Sequence, residues 1–236
     1  MALSLSPLPP GFIVPCLPTP SVGCKSGPAW VHEIKHDGYR LIARRTDDRV
    51  RLYTRRGFNW ADRYPRIVEA LRSLRVRSIT IDGEAVWCSG DGRSDFDKLH
   101  SGAHDSHVFL YGFDLIELDG EDLRPAPLEE RKGKLEKLLA RGDGIRFSEH
   151  LDGDGATIFE HACKLGLEGI VSKRRDLPYL SGRCKAWIKI KNPATQPCCG
   201  YRMGRGELKE RTMAGVNDAN RYPVIHTWSY KLAEAA

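Results

Sequence analysis

The segment Trp187-Ile188-Lys189-Ile190-Lys191 alternates strictly between two kinds of side chain. Successive side chains on a β-strand point to opposite faces, so Trp187, Lys189 and Lys191 share one face and Ile188 and Ile190 the other. The isoleucine face needs an apolar cover. The lysine face carries two ammonium groups that repel each other unless an anion lies between them, and a phosphate is the natural anion. The plainer reading is an edge strand whose lysines deter aggregation. Either way this stretch belongs to a β-sheet.

Other segments follow the same logic from Trp30 onward and read as a compact α+β unit. WVHEIKHDGYRLIARR is two strands around a polar break at His36-Asp37-Gly38, and VRLYTRRG is a third. Pro65 suits the first turn of a helix, and Ile67, Val68, Leu71 and Leu74 form its apolar stripe. SITIDGEAVW is a strand with Asp82-Gly83 inside it, where glycine marks a bulge or the close approach of a ligand. Ser94 is read as the cap of a short helix through Leu99, VFLYGFDLIEL as a long strand, and Pro127 as the start of a helix with Leu128, Leu135, Leu138 and Leu139 inward. A further helix is expected over 156–165 with Gly166 as its C′ residue. EGIVSKR and AWIKIK are the last strands.

On these grounds the 236 residues divide into a Pro-rich arm over 1–28 lying extended on the surface, a domain over 29–193, and an irregular tail over 194–236. A hydrophobic fraction of 41% is enough for a sizeable core. No apolar run approaches the roughly 20 residues of a membrane-spanning helix. The opening residues have no basic n-region, so a cytoplasmic setting is expected. Seven scattered cysteines without a C-x-x-C pair fit free thiols in a reducing compartment. His100, His104 and His107 flank a polar loop and lack the ordered scaffold of a zinc site. The net charge of +6 permits a polyanionic partner. Between Lys173 and Lys191 seven basic residues face one acid, Asp176, although a solvated surface has the same composition.

Five positions suggest chemistry. Lys35 ends an apolar strand and is followed by Asp37 and Gly38; a neutral amine there would be a nucleophile, a protonated one a surface lysine. Glu168 opens the apolar strand Gly169-Ile170-Val171 and is either a ligand for Mg²⁺, which prefers oxygen donors, or half of a salt bridge. Phe113 has a glycine before it and is either a platform for a flat base or core packing. Lys189 and Lys191 form the candidate phosphate grip.

The elements KHDG, YTRRG, IDGE, FLYGFDLIELDG, EGIVSKR and WIKIK occur in one order. This order resembles the covalent nucleotidyltransferase superfamily of ATP-dependent DNA ligases, RNA ligases and mRNA capping enzymes. WVHEIKHDGYR and LEGIVSKR with YLSGR and WIKIKNP are most similar to the ligase domain of bacterial end-joining DNA ligases. The resemblance covers about Trp30 to Pro193. It implies an ATP-grasp-like adenylation domain of two mainly antiparallel sheets flanked by helices. It implies that Lys35 takes AMP from ATP as a covalent lysyl adenylate. Lys189 and Lys191 would grip the α-phosphate, Arg40 and Glu84 contact the ribose, and Phe113 stack on adenine. Glu33 would lie near the adenine edge, Glu168 hold Mg²⁺, and Arg55 meet the 5′-phosphate of a nick. Lys173, Arg174, Arg175 and Arg183 would hold the DNA backbone. The implied partners are nicked or broken double-stranded DNA and end-joining proteins, in a bacterial, nucleoid-associated setting.

Complete ligases of this family carry an OB-fold after the last strand, and the tail over 194–236 reads as too short and irregular for one. Self-adenylation is therefore expected more firmly than strand sealing. Two other readings compete: an RNA ligase or capping-type guanylyltransferase, since a π-face accepts either purine, and a degenerate nucleic-acid-binding module that does not seal.

Overall fold

The computed structural model describes residues 8–90, 92–139 and 143–195. The expected tail, apart from its first two residues, lies outside them. Fourteen regular elements follow one another as β1 (Cys16–Pro20), β2 (Trp30–Ile34), β3 (Tyr39–Thr46), β4 (Arg49–Thr54), α1 (Pro65–Ser73), β5 (Ser78–Val86), α2 (Phe96–Ser101), β6 (Phe109–Leu118), β7 (Glu121–Asp122), α3 (Leu128–Leu139), β8 (Ile145–Phe147), α4 (Gly155–Lys164), β9 (Gly169–Arg174) and β10 (Gly182–Lys191). Four strands form one sheet in the order β1-β10-β9-β2, and six form a second, β4-β3-β5-β6-β7 with β8 on β6. All pairings are antiparallel except β1 with β10 and β6 with β8.

Three apolar clusters separate four layers. Ile67, Val68 and Leu71 of α1 and Leu135 and Leu139 of α3 cover the outer face of the six-stranded sheet. Ile158 and Ala162 of α4 cover Ile170 and Ile190 on the outer face of the four-stranded sheet. Between the sheets lie Val31, Ile42, Tyr53, Phe113, Ile116, Tyr179 and Trp187. Ile190 and its neighbour Ile188 therefore find their apolar cover in α4, and Trp187 points the other way, as the alternation of its strand requires.

Two expectations are corrected, and one strand departs from simple alternation. The segment 1–28 is not only a surface arm: Cys16–Pro20 is a sheet strand, and Cys16 is fully buried. Its prolines are tolerated because β1 is an edge strand of its sheet. The short helix is capped by Asp95, whose side chain accepts from the Lys98 amide at 3.0 Å, and not by Ser94, whose hydroxyl accepts from the Asp37 amide. The alternation of β10 breaks N-terminal to Trp187. The register with β1 shifts there, and Cys184, Ala186 and Trp187 are all buried on the inter-sheet side. Lys185 is consequently exposed, away from the face of Lys189.

The inter-sheet space is ionic as well as apolar. Asp114 receives both arms of the Arg131 guanidinium at 2.7 and 2.8 Å, with both side chains at 0% exposure. Arg131 also donates to the carbonyls of Ala126 and Leu177, so its donors are spent on partners. Removing one member of such a pair leaves an uncompensated buried charge. Arg131→Leu is expected to cost on the order of 3–5 kcal/mol in urea unfolding. Arg124→Leu, which breaks the exposed pair with Asp122, is expected to cost under about 1 kcal/mol. Equal losses would show that the inter-sheet pair is not a structural tie.

Candidate active site

The sheet order places the first group. Strand β9 lies between β2 and β10, so the residue just before it, Glu168, sits between the ends of both neighbours. Lys35 follows β2 and its amide donates to the Gly169 carbonyl at 2.9 Å, while Lys191 ends β10 in register with Gly169. Lys35 Nζ lies 2.5 Å from Glu168 Oε2, and Lys191 Nζ lies 3.1 Å from Oε1. One carboxylate thus bridges two lysines from strands that do not touch. Gly169 makes the approach feasible: its φ is +143°, and a Cβ there would stand 2.0 Å from the Ile190 carbonyl.

Lys189 joins this cluster. Partial burial, then the charges of Lys35, Lys191 and Arg55, hold its amine below the ordinary lysine range. Arg55 reaches it from the tight turn after β4, in which the Gly57 amide donates to the Thr54 carbonyl. Asp37 and Glu168 are close enough that, after burial, the Glu168 charge is the next cause raising the Asp37 carboxyl. The loop carrying Lys35 lies tight on β5, since a Cβ on Gly38 would come within 2.2 Å of the Ala85 carbonyl.

A second group sits deeper, between the sheets. Phe113 is 7% exposed, and the Arg40 guanidinium lies 4.3 Å from its ring centroid. Arg40 is held there by Asp82, with Nε at 2.5 Å and Nη2 at 2.7 Å, and by the Cys16 carbonyl at 3.1 Å. Tyr179 donates to the same Asp82 at 2.6 Å and accepts from the Cys16 amide. Glu84 is paired with Arg40 across β3 and β5. Glu33 is buried and receives Lys132 Nζ at 2.8 Å and Lys173 Nζ at 2.7 Å. Lys173 Nζ also stands 4.3 Å from the Phe113 centroid and 4.1 Å from that of Trp187.

The expected DNA-binding set is partly overturned. Lys173 is 2% exposed and faces inward, so its amine meets Glu33 and two rings and not a DNA backbone. The cause is strand parity: Lys173 pairs with Val31 and Trp187, both inter-sheet residues. Arg174 points outward but is engaged by Asp176, and Arg175 pairs with Glu129 and Asp152. Arg183 and Arg55 are exposed. Phe113 is not an open platform, because Arg40 and Lys173 already lie against it. Asp82, Lys132 and Tyr179 were not singled out from sequence. Lys132 had a signal, since it falls on the buried side of α3 among Leu128, Leu135 and Leu139.

Glu84 carries a measurable consequence. Burial pushes its carboxyl from 4.5 up to about 7, against the lowering pull of Arg40 and Lys35. The folded state then holds the proton more tightly than the unfolded chain, so this group lowers stability progressively as pH rises from 4.5 to about 7. Glu84→Gln is expected to match the parent near pH 4.5 and to exceed it by a growing margin toward pH 7 in thermal unfolding. Parallel curves would contradict this placement of Glu84.

The family described as ATP dependent DNA ligase domain matches residues 19–191. The multifunctional non-homologous end joining protein LigD of Pseudomonas aeruginosa is 42% identical over 167 residues, which is 69% of this chain and 20% of that protein. LigD of Mycobacterium bovis is 36% identical over 180 residues, 75% of this chain and 24% of that one. This chain thus spans about a fifth to a quarter of the length of these relatives. Among solved structures, mycobacterial DNA ligase D complexed with ATP and MES superposes with a TM-score of 0.67 at 34% identity, over 76% of this chain and 60% of that one. The ligase domain of M. tuberculosis LigD gives a TM-score of 0.66 at 33% identity over the same shares. The two mainly antiparallel sheets with flanking helices are the nucleotidyltransferase architecture of these neighbours. Matched over most of its length and folded in the same way, the chain belongs to the ATP-dependent DNA ligase family.

Proposed function

We propose that this chain captures AMP from ATP on Lys35 and passes it to a 5′-phosphate of broken or nicked double-stranded DNA, where a 3′-hydroxyl displaces it. The observation that carries this reading is the single carboxylate, Glu168, set between Lys35 and Lys191 beside Lys189. In-line displacement at phosphorus needs a placed nucleophile and neutralised phosphate charge above all. Lys35 Nζ would attack the α-phosphorus. The nitrogen–phosphorus bond forms, the bridging oxygen leaves with pyrophosphate, and the amine proton passes toward Glu168, 2.5 Å away. Lys189 and Lys191 would hold the α-phosphate oxygens.

At the base end, the flat Arg40 guanidinium stands over Phe113 where a purine would stack. ATP would take that place, with Arg40 and Glu84 turning to the ribose. The Glu33 carboxylate, an acceptor fixed by Lys132 and Lys173, would receive the adenine amino group. That preference for a donor at the purine 6-position favours ATP over GTP and so favours a DNA ligase over a capping enzyme. Glu168 and Asp37 would be the carboxylates to hold Mg²⁺, a hard cation that takes oxygen ligands. When bound, Mg²⁺ would neutralise phosphate charge. Arg55, beside Lys189 and exposed, would meet the DNA 5′-phosphate, with Arg174 and Arg183 on the backbone.

We read the adenylation domain as running from β1 to about Pro193, with the strand Cys16–Pro20 part of it. The relatives are bacterial and named as end-joining proteins, which supports end-joining partners; a DNA substrate would bring the chain to the nucleoid. No helix among the described residues is long and apolar enough to cross a membrane.

Incubation with α-labelled ATP tests the chemistry. The parent chain is expected to take up label and Lys35→Ala none, with unchanged circular dichroism. Lys189→Ala and Lys191→Ala should each reduce labelling by about tenfold or more, the effect of losing a charge-assisted phosphate contact. Lys185→Ala, on the exposed side of the β10 irregularity, should leave it unchanged. Label retained by Lys35→Ala, or taken from GTP in preference to ATP, would sink the reading.

A further inference from the structure

A cavity of about 360 Å³ opens directly beside Lys35 and Lys191. Its opposite wall is Arg93 and Ser94, which no step above uses. These two residues lie on a short hairpin after β5. The Asp95 amide donates to the Trp87 carbonyl at 3.0 Å, the Ser89 amide to the Arg93 carbonyl at 3.0 Å, and the Gly92 amide to Ser89 at 2.9 Å. The backbone at Arg93 is therefore fixed by its own ladder. The hairpin follows directly on β5 of the six-stranded sheet, yet Arg93 reaches the turn ahead of β9 in the other sheet. Its Nη1 is 3.9 Å from where a Gly166 Cβ would stand. Ser94 Oγ accepts from the Asp37 amide at 3.4 Å, which ties the hairpin to the loop that carries Lys35 and leaves the hydroxyl proton to donate elsewhere.

The cavity thus is lined by three cations, Lys35, Lys191 and Arg93, and a hydroxyl donor, against the carboxylates of Asp37 and Glu168. Its size is at the low end for small-ligand sites, roughly 300 Å³ upward, and it is walled by both sheets. A duplex backbone does not fit such a space, but a small polyanion does. The one small polyanion that the reaction generates at Lys35 is the pyrophosphate part of ATP.

We propose that Arg93, with Ser94 and Lys191, forms the subsite for the β- and γ-phosphates of ATP and hence for the departing pyrophosphate. The planar guanidinium offers paired donors to phosphate oxygens, as a lysine ammonium does not. This rests on covalent AMP capture by Lys35, and it assigns the binding of the leaving group to residues within this chain. In the reverse direction, a pyrophosphate oxygen attacks the phosphorus of lysyl-AMP. The phosphorus–oxygen bond forms, the nitrogen–phosphorus bond breaks, ATP departs, and the Lys35 nitrogen regains its proton.

The reverse reaction separates this subsite from AMP capture. The full chain is adenylated with α-labelled ATP, freed of nucleotide, and exposed to graded pyrophosphate with Mg²⁺ while label returning as ATP is measured. Arg93→Ala is expected to raise the pyrophosphate concentration for half-maximal return by about tenfold, the loss of one charge-assisted contact, and Arg93→Lys to fall between. Arg49→Ala, which alters an exposed arginine on β4, should match the parent. As a second readout on the unadenylated chain, Arg93→Gln should weaken magnesium pyrophosphate binding by calorimetry at unchanged melting temperature. Equal pyrophosphate dependence in Arg93→Ala and the parent overturns the subsite. So does a defect confined to AMP transfer onto a nicked duplex, which would make Arg93 a nucleic-acid contact. A parent chain that takes no label overturns the capture reading itself, and this subsite with it.

Discussion

Everything at the nucleotide end of this protein is arranged around one carboxylate with two ammonium groups on it. Glu168 precedes the strand that separates β2 from β10, and only that order brings Lys35 and Lys191 to its two oxygens. Lys189 and Arg55 crowd the same region, as the depressed Lys189 amine records. Four cations around the carboxylates of Glu168 and Asp37 make a site short of negative charge. Such a site is prepared to receive a triphosphate, whose oxygens complete the neutralisation that Glu168 begins. The sheet supplies the geometry without any movement of backbone, because each group sits at a strand end whose register is fixed.

The space between the sheets extends this logic inward. Asp82, Asp114 and Glu33 are each buried and each held by a cation, Arg40, Arg131 and the pair Lys132–Lys173. Buried ion pairs are weak contributors to net stability, since desolvation offsets much of their attraction. Their value here is in fixed orientation. Asp82 anchors Arg40 beside Phe113 with help from Tyr179, close to where it would turn toward a ribose, and the two lysines hold Glu33 as a pure acceptor near the same ring. An apolar filling of equal volume would pack the sheets as well, but would leave a purine edge nothing to read.

What could be read from sequence follows from which residues sit where local pattern is decisive. Lys35, Glu168 and Lys191 are at strand ends, where a charge after an apolar run is conspicuous, and the structure joins all three. Most strands from Trp30 onward and helices α1, α3 and α4 were legible from their local pattern, whereas the two- and three-residue strands β7 and β8 are too short to show one. Lys173 was misread because charges were counted along the chain and not assigned to faces. Placing EGIVSKR antiparallel to WIKIK sets Lys173 opposite Trp187 and therefore inside. Lys185 lies just outside the strictly alternating stretch. Strict parity would put it with Lys189, and only the irregularity near Ala186 turns it out, which no propensity announces. Strand β1 escaped notice because its prolines look like a loop, and the parallel partner that makes it a strand is more than 160 residues away.

Charge also gives the reaction a direction. Before transfer the Lys35 side chain is paired with Glu168. In the proposed step its nitrogen passes a proton toward Glu168 and takes up the AMP phosphorus, whose phosphate keeps the negative charge it carried in ATP. The pyrophosphate would then be a separate anion beside that phosphate, with Lys35 no longer a cation near it. A unit repulsion at 4 Å is worth about 4 kcal/mol at an effective dielectric constant of about 20. Breaking the bridging bond would therefore itself weaken the grip of Arg93 and Lys191 on the product. Glu168, released from Lys35, keeps Lys191 as its partner. The cation then left for an incoming phosphate is Lys189, with the exposed Arg55 beside it. On the proposed reading the same strand face would serve ATP first and a DNA 5′-phosphate second.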